Sequence, residues 1–260
     1  MKDVLLEIGA GLMNWRLWWT LSWFDLKSRY RRSVIGPFWL TLSMGLTVMM
    51  LGTVYSYILG TPHTAYIPHL SLGFIVWTMM SMMIVDGCRA FMEAAPIIKQ
   101  RPVPVIVFAM RVVNRNLLFT AHNFLVFVPV VFYYKIVPTW VTPLALVGLF
   151  LITINGIWIV ISIGIVCARY RDIPQLVLSL VQMAFFLTPV IWGVQEIGNE
   201  IPLFLQLNLF YHFMELVRAP LLGMEPRMLS WYVAIATTVI GWIFTVLLYR
   251  VARRRLVFWI

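Results

Sequence analysis

Few side chains in this sequence could do chemistry, and their spacing rules out several reactions. A lysine followed by a hydroxyl residue could anchor a phosphate-cradling loop. The only such pair is Lys27-Ser28, and the two glycine positions required before it hold Leu26 and Leu21. Nucleotide binding by that route is excluded. His63, His69, His122 and His212 are scattered without metal-ligand spacing. Cys88 and Cys167 form neither a zinc nor a redox motif, and no disulfide between them is expected. His122 falls in an apolar run, where a hydrogen bond within the helix packing accounts for it. The ten Asp and Glu residues do not pair into a general acid and base. Arginine forks and aromatic faces remain. A guanidinium fork suits phosphate oxygens, and a ring face suits the C–H side of a sugar. Arg29, Arg31 and Arg32 form one basic cluster, and Arg169, Arg171 and Asp172 form a second. Glu215 and Arg218 stand three apart, the spacing of a helical ion pair. Aromatics make up 15% of the chain, and Tyr55, Tyr57, Trp77, Phe185, Phe186 and Trp192 are placed to line a path between helices. Membrane interfaces also favour Trp and Tyr, which would explain some of them without function.

The elements that must position these residues belong in a bilayer. The chain is 62% hydrophobic and 12% charged, with mean hydropathy +0.88, whereas a soluble domain carries about 25% charged residues. At about 20 residues per crossing, 260 residues allow about six spans and little else. The sequence therefore predicts an all-α integral membrane protein, one domain over 1–260. Spans are expected at 35–59, 68–85, 104–134, 144–168, 173–194 and 229–249. Their apolar parts, taken as 116–134 for the third, contain no Asp, Glu, Lys or Arg. Ion-coupled carriers and enzymes of the bilayer interior generally need such groups. Residues 4–25 read as an amphipathic interfacial helix, with Leu5, Ile8, Leu12, Trp15, Trp19 and Trp23 on one face and Glu7, Asn14 and Asp25 opposite. Residues 195–228 are too apolar for a solvated loop, and Pro202, Asn208 and Pro220 break them too often for two spans. A re-entrant helical hairpin touching the pathway fits better.

A net charge of +10 would suggest nucleic acid in a soluble protein, but here the basic residues sit between apolar runs and no nucleic-acid partner is expected. With both termini inside, 17 of 20 Lys and Arg fall on the cytoplasmic side, leaving only Lys135, Arg218 and Arg227 outside. Met1-Lys2-Asp3 leads into a mixed segment rather than a cleavable signal.

Three stretches resemble the ABC-2 type permeases that export polysaccharides, the membrane subunits of O-antigen, capsule and teichoic acid exporters. They are Arg29-Tyr30-Arg31-Arg32-Ser33-Val34-Ile35-Gly36-Pro37-Phe38-Trp39, Ala168-Arg169-Tyr170-Arg171-Asp172-Ile173, and Asn208-Leu209-Phe210-Tyr211-His212 continuing through Arg218-Ala219-Pro220-Leu221-Leu222-Gly223. The third departs from the family pattern, which has Pro after the Asn where this chain has Leu209. The resemblance implies a homodimer bound to two ATP-binding subunits in the inner (cytoplasmic) membrane. It also implies a lipid-linked polysaccharide as cargo, and no cofactor on this chain, ATP and Mg belonging to the partner.

On that resemblance, Arg89, Glu93, Lys99 and Arg101, with Arg169, Arg171 and Asp172, are expected to meet the ATPase. Pro96 and Pro102 would give the first connection rigid stops. Positive-inside topology alone would also put charges there, and an Arg–Asp pair would stabilise the second turn. Arg29, Arg31, Arg32 and Arg171 are expected at the substrate entrance, facing a lipid-linked pyrophosphate, or alternatively anionic lipid. The aromatic set would line the channel, and Glu215 with Arg218 would close an outer gate or serve a structural pair. An ABC-2 exporter of another lipid or drug is the alternative. A polytopic glycosyl- or acyltransferase would need clustered acids or histidines that the sequence does not contain.

Overall fold

The computed structural model describes residues 2–31, 33–36, 38–100, 103–193 and 202–260. Arg32, Arg101 and the segment 194–201 lie outside the described residues. Among the described residues every regular element is a helix. In chain order these are α1 (Lys2–Met13), α2 (Trp15–Arg29), α3 (Phe38–Leu59), α4 (His63–Gly87), α5 (Ala95–Gln100), α6 (Ile106–Phe124), α7 (Phe127–Tyr133), α8 (Leu144–Arg169), α9 (Ile173–Leu187), α10 (Leu203–Gln206), α11 (Leu209–Leu221), α12 (Met228–Ala252) and α13 (Leu256–Trp259).

Five helical segments are long and apolar enough to cross a membrane: α3, α4, the α6–α7 pair, α8 and α12. The third is interrupted because Pro129 has no N–H for the carbonyl of Leu125, so the helix breaks there and restarts at Phe127. The segment expected as a span over 173–194 is helical only through Leu187. Pro189 is the cause, since it drives the preceding Thr188 to an extended ψ of 136°. At 15 residues, α9 reaches about 22 Å, short of a hydrocarbon core of about 30 Å.

The segment expected as one helix over 4–25 is two, α1 and α2, divided at Asn14. The Trp18 indole N–H donates to the Leu12 carbonyl at 3.1 Å, satisfying a group that the break frees. Trp15, Trp19 and Trp23 are exposed on α2, while Ser22 and Leu26 are buried. The buried face packs on α6, where the Asn114 amide donates to the Ser22 hydroxyl.

The core runs between α4, α6, α8 and α11. Residues Tyr211 to Pro220 of α11 are all buried. Gly148 on α8 permits this, because a Cβ there would meet the Leu216 carbonyl of α11 at 2.5 Å. Asn155 of α8 donates to Thr238 of α12 at 2.7 Å and accepts from Trp158 at 2.8 Å. Ser162 and Thr245 join the same two helices at 2.7 Å. Such hydroxyl and amide contacts hold apolar helices together where the hydrophobic effect contributes little.

Candidate functional site

At one end of the bundle, side chains that the sequence scatters over 90 residues converge. Arg111 and Arg115 lie on one face of α6. Arg111 grips Asp25 of α2 with both carboxylate oxygens engaged, its Nε at 2.7 Å. Arg115 reaches Asp25 at 3.3 Å, Asp86 of α4 at 3.1 Å and Glu93 at 4.0 Å. Asn116 donates to Asp86 at 3.2 Å. Charges therefore do enter the helices at this end, since α6 begins at Ile106 and α4 runs to Gly87. They are half-buried and mutually paired. None of Asp25, Asp86, Arg111 and Arg115 was singled out by sequence reasoning as a site residue. Nothing local could reveal partners this far apart in the chain.

The connection after α4 is seated by apolar anchors and turns its charges outward. Phe91, Ala94 and Ile98 are buried, whereas Arg89, Glu93, Pro96 and Lys99 are exposed. Phe91 fits against Gly164 of α8, where a Cβ would come within 2.9 Å of its ring. The short helix α13 packs against both α5 and α8. It brings Trp259 under the Arg169 guanidinium at 5.2 Å, and Tyr170 lies equally close. Two connections expected to share a partner thus share a neighbour. Arg171 and Asp172 are exposed, and among the described residues no ion pair joins Asp172 to either arginine. The Arg–Asp pair that is the alternative explanation of this turn does not form among the described residues, and Arg169 makes cation–π contacts instead. Arg29 likewise rests over the Phe119 ring at 5.1 Å, and Arg31 is exposed. Burial pushes the Tyr30 hydroxyl up, with Arg29 opposing, so this tyrosine stays neutral.

Between α4 and α9 runs an open groove of about 610 Å³. Phe74, Trp77, Phe185 and Phe186 form its aromatic wall, Thr78, Ser81 and Gln182 its polar positions, and Asp86 its charged end. Trp77 is the most deeply set ring of the wall, largely buried, 5.5 Å from Phe185 and 5.2 Å from Phe210. Of the six aromatics chosen from sequence, the structure brings Trp77, Phe185 and Phe186 together here. Trp192 stands nearby, donating to the Phe186 carbonyl at 3.3 Å. Tyr55 and Tyr57 are on α3 and do not line the groove, and Tyr57 is 89% exposed. Phe74 and Phe210 were missed. Their i−3 and i+1 relation to Trp77 and Leu209 carries no signal until the helices are packed.

At the opposite end Glu215 and Arg218 are buried but do not pair with each other. Arg218 donates to the Pro189 carbonyl at 2.6 Å and to His69 Nε2 at 3.1 Å. Glu215 accepts from the Arg227 backbone N–H at 3.1 Å and from Ser230 at 3.3 Å, with the Arg227 side chain at 3.8 Å. The two ends of an i, i+3 pair have each found a nearer partner, because the turn at Pro189 and the start of α12 fold against α11. Asn208 caps α11 by accepting from Phe210 and Tyr211 at 3.0 and 3.3 Å. Its amide also donates to Thr188 at 3.0 Å, pinning the end of α9. The cap forms without the proline at 209, since it needs only the Asn oxygen. Among the described residues no cluster of His, Cys, Asp or Glu has the form of a metal site.

A family model described as "ABC-2 type transporter" matches residues 16–222. An O-antigen export system permease protein RfbA of Klebsiella pneumoniae is 24% identical over 241 residues, covering 88% of this chain and 90% of that one. A Myxococcus xanthus protein of the same name is 24% identical over 183 residues, 68% of each chain. With five long apolar helices and a family match over most of its length, this chain is a multi-pass membrane protein that belongs to the ABC-2 type transporter family.

Proposed function

We propose that this chain is the permease subunit of a polysaccharide exporter in the inner membrane. It works as a homodimer with two ATP-binding subunits that supply the energy and hold the ATP and Mg. The cargo is a lipid-linked glycan of O-antigen or capsule type, moved outward from the cytoplasm. One observation carries the reading: an open groove with an aromatic wall and neutral polar positions, built on the helices of an ABC-2 permease. The names of the relatives, O-antigen export permeases, support it.

In this reading both termini are cytoplasmic, α1 and α2 lie in the interface, α9 with its extension completes a sixth crossing, and α10 and α11 form a re-entrant hairpin. The exposed Arg89, Glu93 and Lys99, with Arg101, Arg169, Arg171 and Asp172, meet the ATPase. Arg29, Arg31, Arg32 and Arg171 receive the anionic head of the lipid-linked glycan. Trp77, Phe185, Phe186 and Trp192 offer sugar faces a succession of weak contacts, with Tyr55 and Tyr57 farther along on α3. Weak repeated contacts suit a polymer that must slide, whereas a deep ionic site would hold it. The gate rests on two latches, Arg218 to Pro189 and His69, and Glu215 to Arg227 and Ser230.

Deleting the gene tests the reading. The expected result is a lipid-linked glycan accumulating on the cytoplasmic side and a matching glycan missing from the surface. Accumulation of a small lipid or drug with surface glycan intact would favour an ABC-2 exporter of another cargo.

A further inference from the structure

We infer that the groove between α4 and α9 is built for an uncharged glycan, with Gln182 as a hydrogen-bonding position for its hydroxyls. The inference rests on the exporter reading and narrows its substrate class. Gln175, Ser179 and Gln182 recur at i, i+4 and i+7, so they share one face of α9. Both glutamines are exposed on a helix that is otherwise apolar. An amide facing hydrocarbon leaves its donors and acceptor without partners, which is costly. Gln175 lies in the first turn of α9 beside the exposed Arg171 and Asp172, whereas Gln182 lies about two turns deeper and lines the groove, and its amide calls for a polar occupant. Gln182 shares the groove with Thr78 and Ser81 of α4, set among the Trp77 and Phe185 rings. Ser81 donates to the Thr78 carbonyl at 3.2 Å, so its hydroxyl oxygen can still accept. Amide and hydroxyl groups can exchange hydrogen bonds with sugar hydroxyls in any orientation, and the rings cover the C–H faces between them.

Charge fixes the class more narrowly. Among the described residues, the one ionisable group lining the groove is Asp86, already held by Arg115 and Asn116. Neither α4 nor α9 carries a Lys or Arg. An acidic polymer would take each carboxylate or phosphate past a lining that offers it no unpaired cation, since Arg115 at the groove's end is already held by Asp86. A neutral polymer meets no such barrier. Only its terminal phosphate linker needs cations, and among the described residues no Lys or Arg lines this groove. The competing occupant of the glutamine face is α9 of a second copy, with Gln182 bonding across a dimer seam.

The test compares surface glycans of wild-type and gene-deleted cells. The polymer lost on deletion, freed of its lipid anchor, is expected to pass an anion exchanger unretained and to contain only uncharged sugars. A uronate, sialate or phosphate in each repeat would overturn the inference while leaving the exporter reading standing. A deletion that changes no surface glycan would overturn the exporter reading itself. In vesicles carrying the full complex, Gln182→Leu is expected to slow export about fivefold, the loss of one ordinary hydrogen bond. Gln182→Asn should restore part of the rate, and crosslinking between the two copies should be unchanged. An unchanged export rate, or loss of the crosslinked dimer, would overturn the role given to Gln182.

Discussion

Arg115 touches Asp25, Asp86 and Glu93 from one position on α6, and so ties α2, the end of α4 and the exposed connection to one another. Arg115→Met would leave Asp86 and Asp25 half-buried beside fewer donors. With part of the network wetted, the expected loss is about 2–3 kcal/mol, below that of a fully buried pair. Arg115→Lys should recover only a fraction, since an ammonium cannot fork to several carboxylates. Cys88 and Cys167 are both buried, so a thiol-reactive dye reports unfolding in detergent without added labels. An unfolding midpoint unmoved by Arg115→Met would show that the network is incidental. Asn208→Ala removes the α11 cap and the pin to Thr188, and should cost about 1 kcal/mol by the same assay. At this scale the sequence was partly legible. That Trp77, Phe185 and Phe186 gather in one groove was legible only as aromatics on largely apolar helices, and their role in a path is part of the proposal. Glu215 and Arg218 were legible as an i, i+3 pair but not their actual partners, since Pro189 and Arg227 reach them only through the fold of the chain.

The connection from α4 to α6 turns outward Arg89, Glu93 and Lys99 on a scaffold fixed by Phe91. If this face is where the ATP-binding subunit seats, Arg89→Glu with Lys99→Glu should lower copurification of that subunit while leaving the thermal midpoint nearly unchanged. Unaltered copurification and transport would remove the connection from the coupling path. Helix positions over 38–59, 63–87, 144–169 and 228–252 lie close to the apolar runs expected of them, because a long uncharged stretch has one stable form in lipid. The elements that differ do so at single residues with tertiary consequences. Asn14 divides α1 from α2, Pro129 divides α6 from α7, and Pro189 ends α9 early. Proline effects are legible in principle. The break at Asn14 depends on Trp18 capturing the Leu12 carbonyl, which periodicity does not reveal.

For the whole molecule, the inside excess of basic residues sets the proposed orientation, and exposed positions at the two ends test it. Cysteines replacing Glu225, in the turn before α12, and Arg254, beyond its end, should differ under an impermeant thiol reagent applied to whole cells. Glu225→Cys should label and Arg254→Cys should not, with little background because Cys88 and Cys167 are buried. The reverse pattern would invert the topology. The direct test of the central claim is transport itself. Proteoliposomes containing this chain and its ATP-binding partner, with the lipid-linked glycan supplied on the ATP side, should move the glycan to the interior. There it becomes resistant to an added glycosidase only when ATP is hydrolysed, and the chain alone should do neither. Protection that appears without ATP, or hydrolysis that never yields protected glycan, would contradict the assignment of this chain as the permease of a glycan exporter.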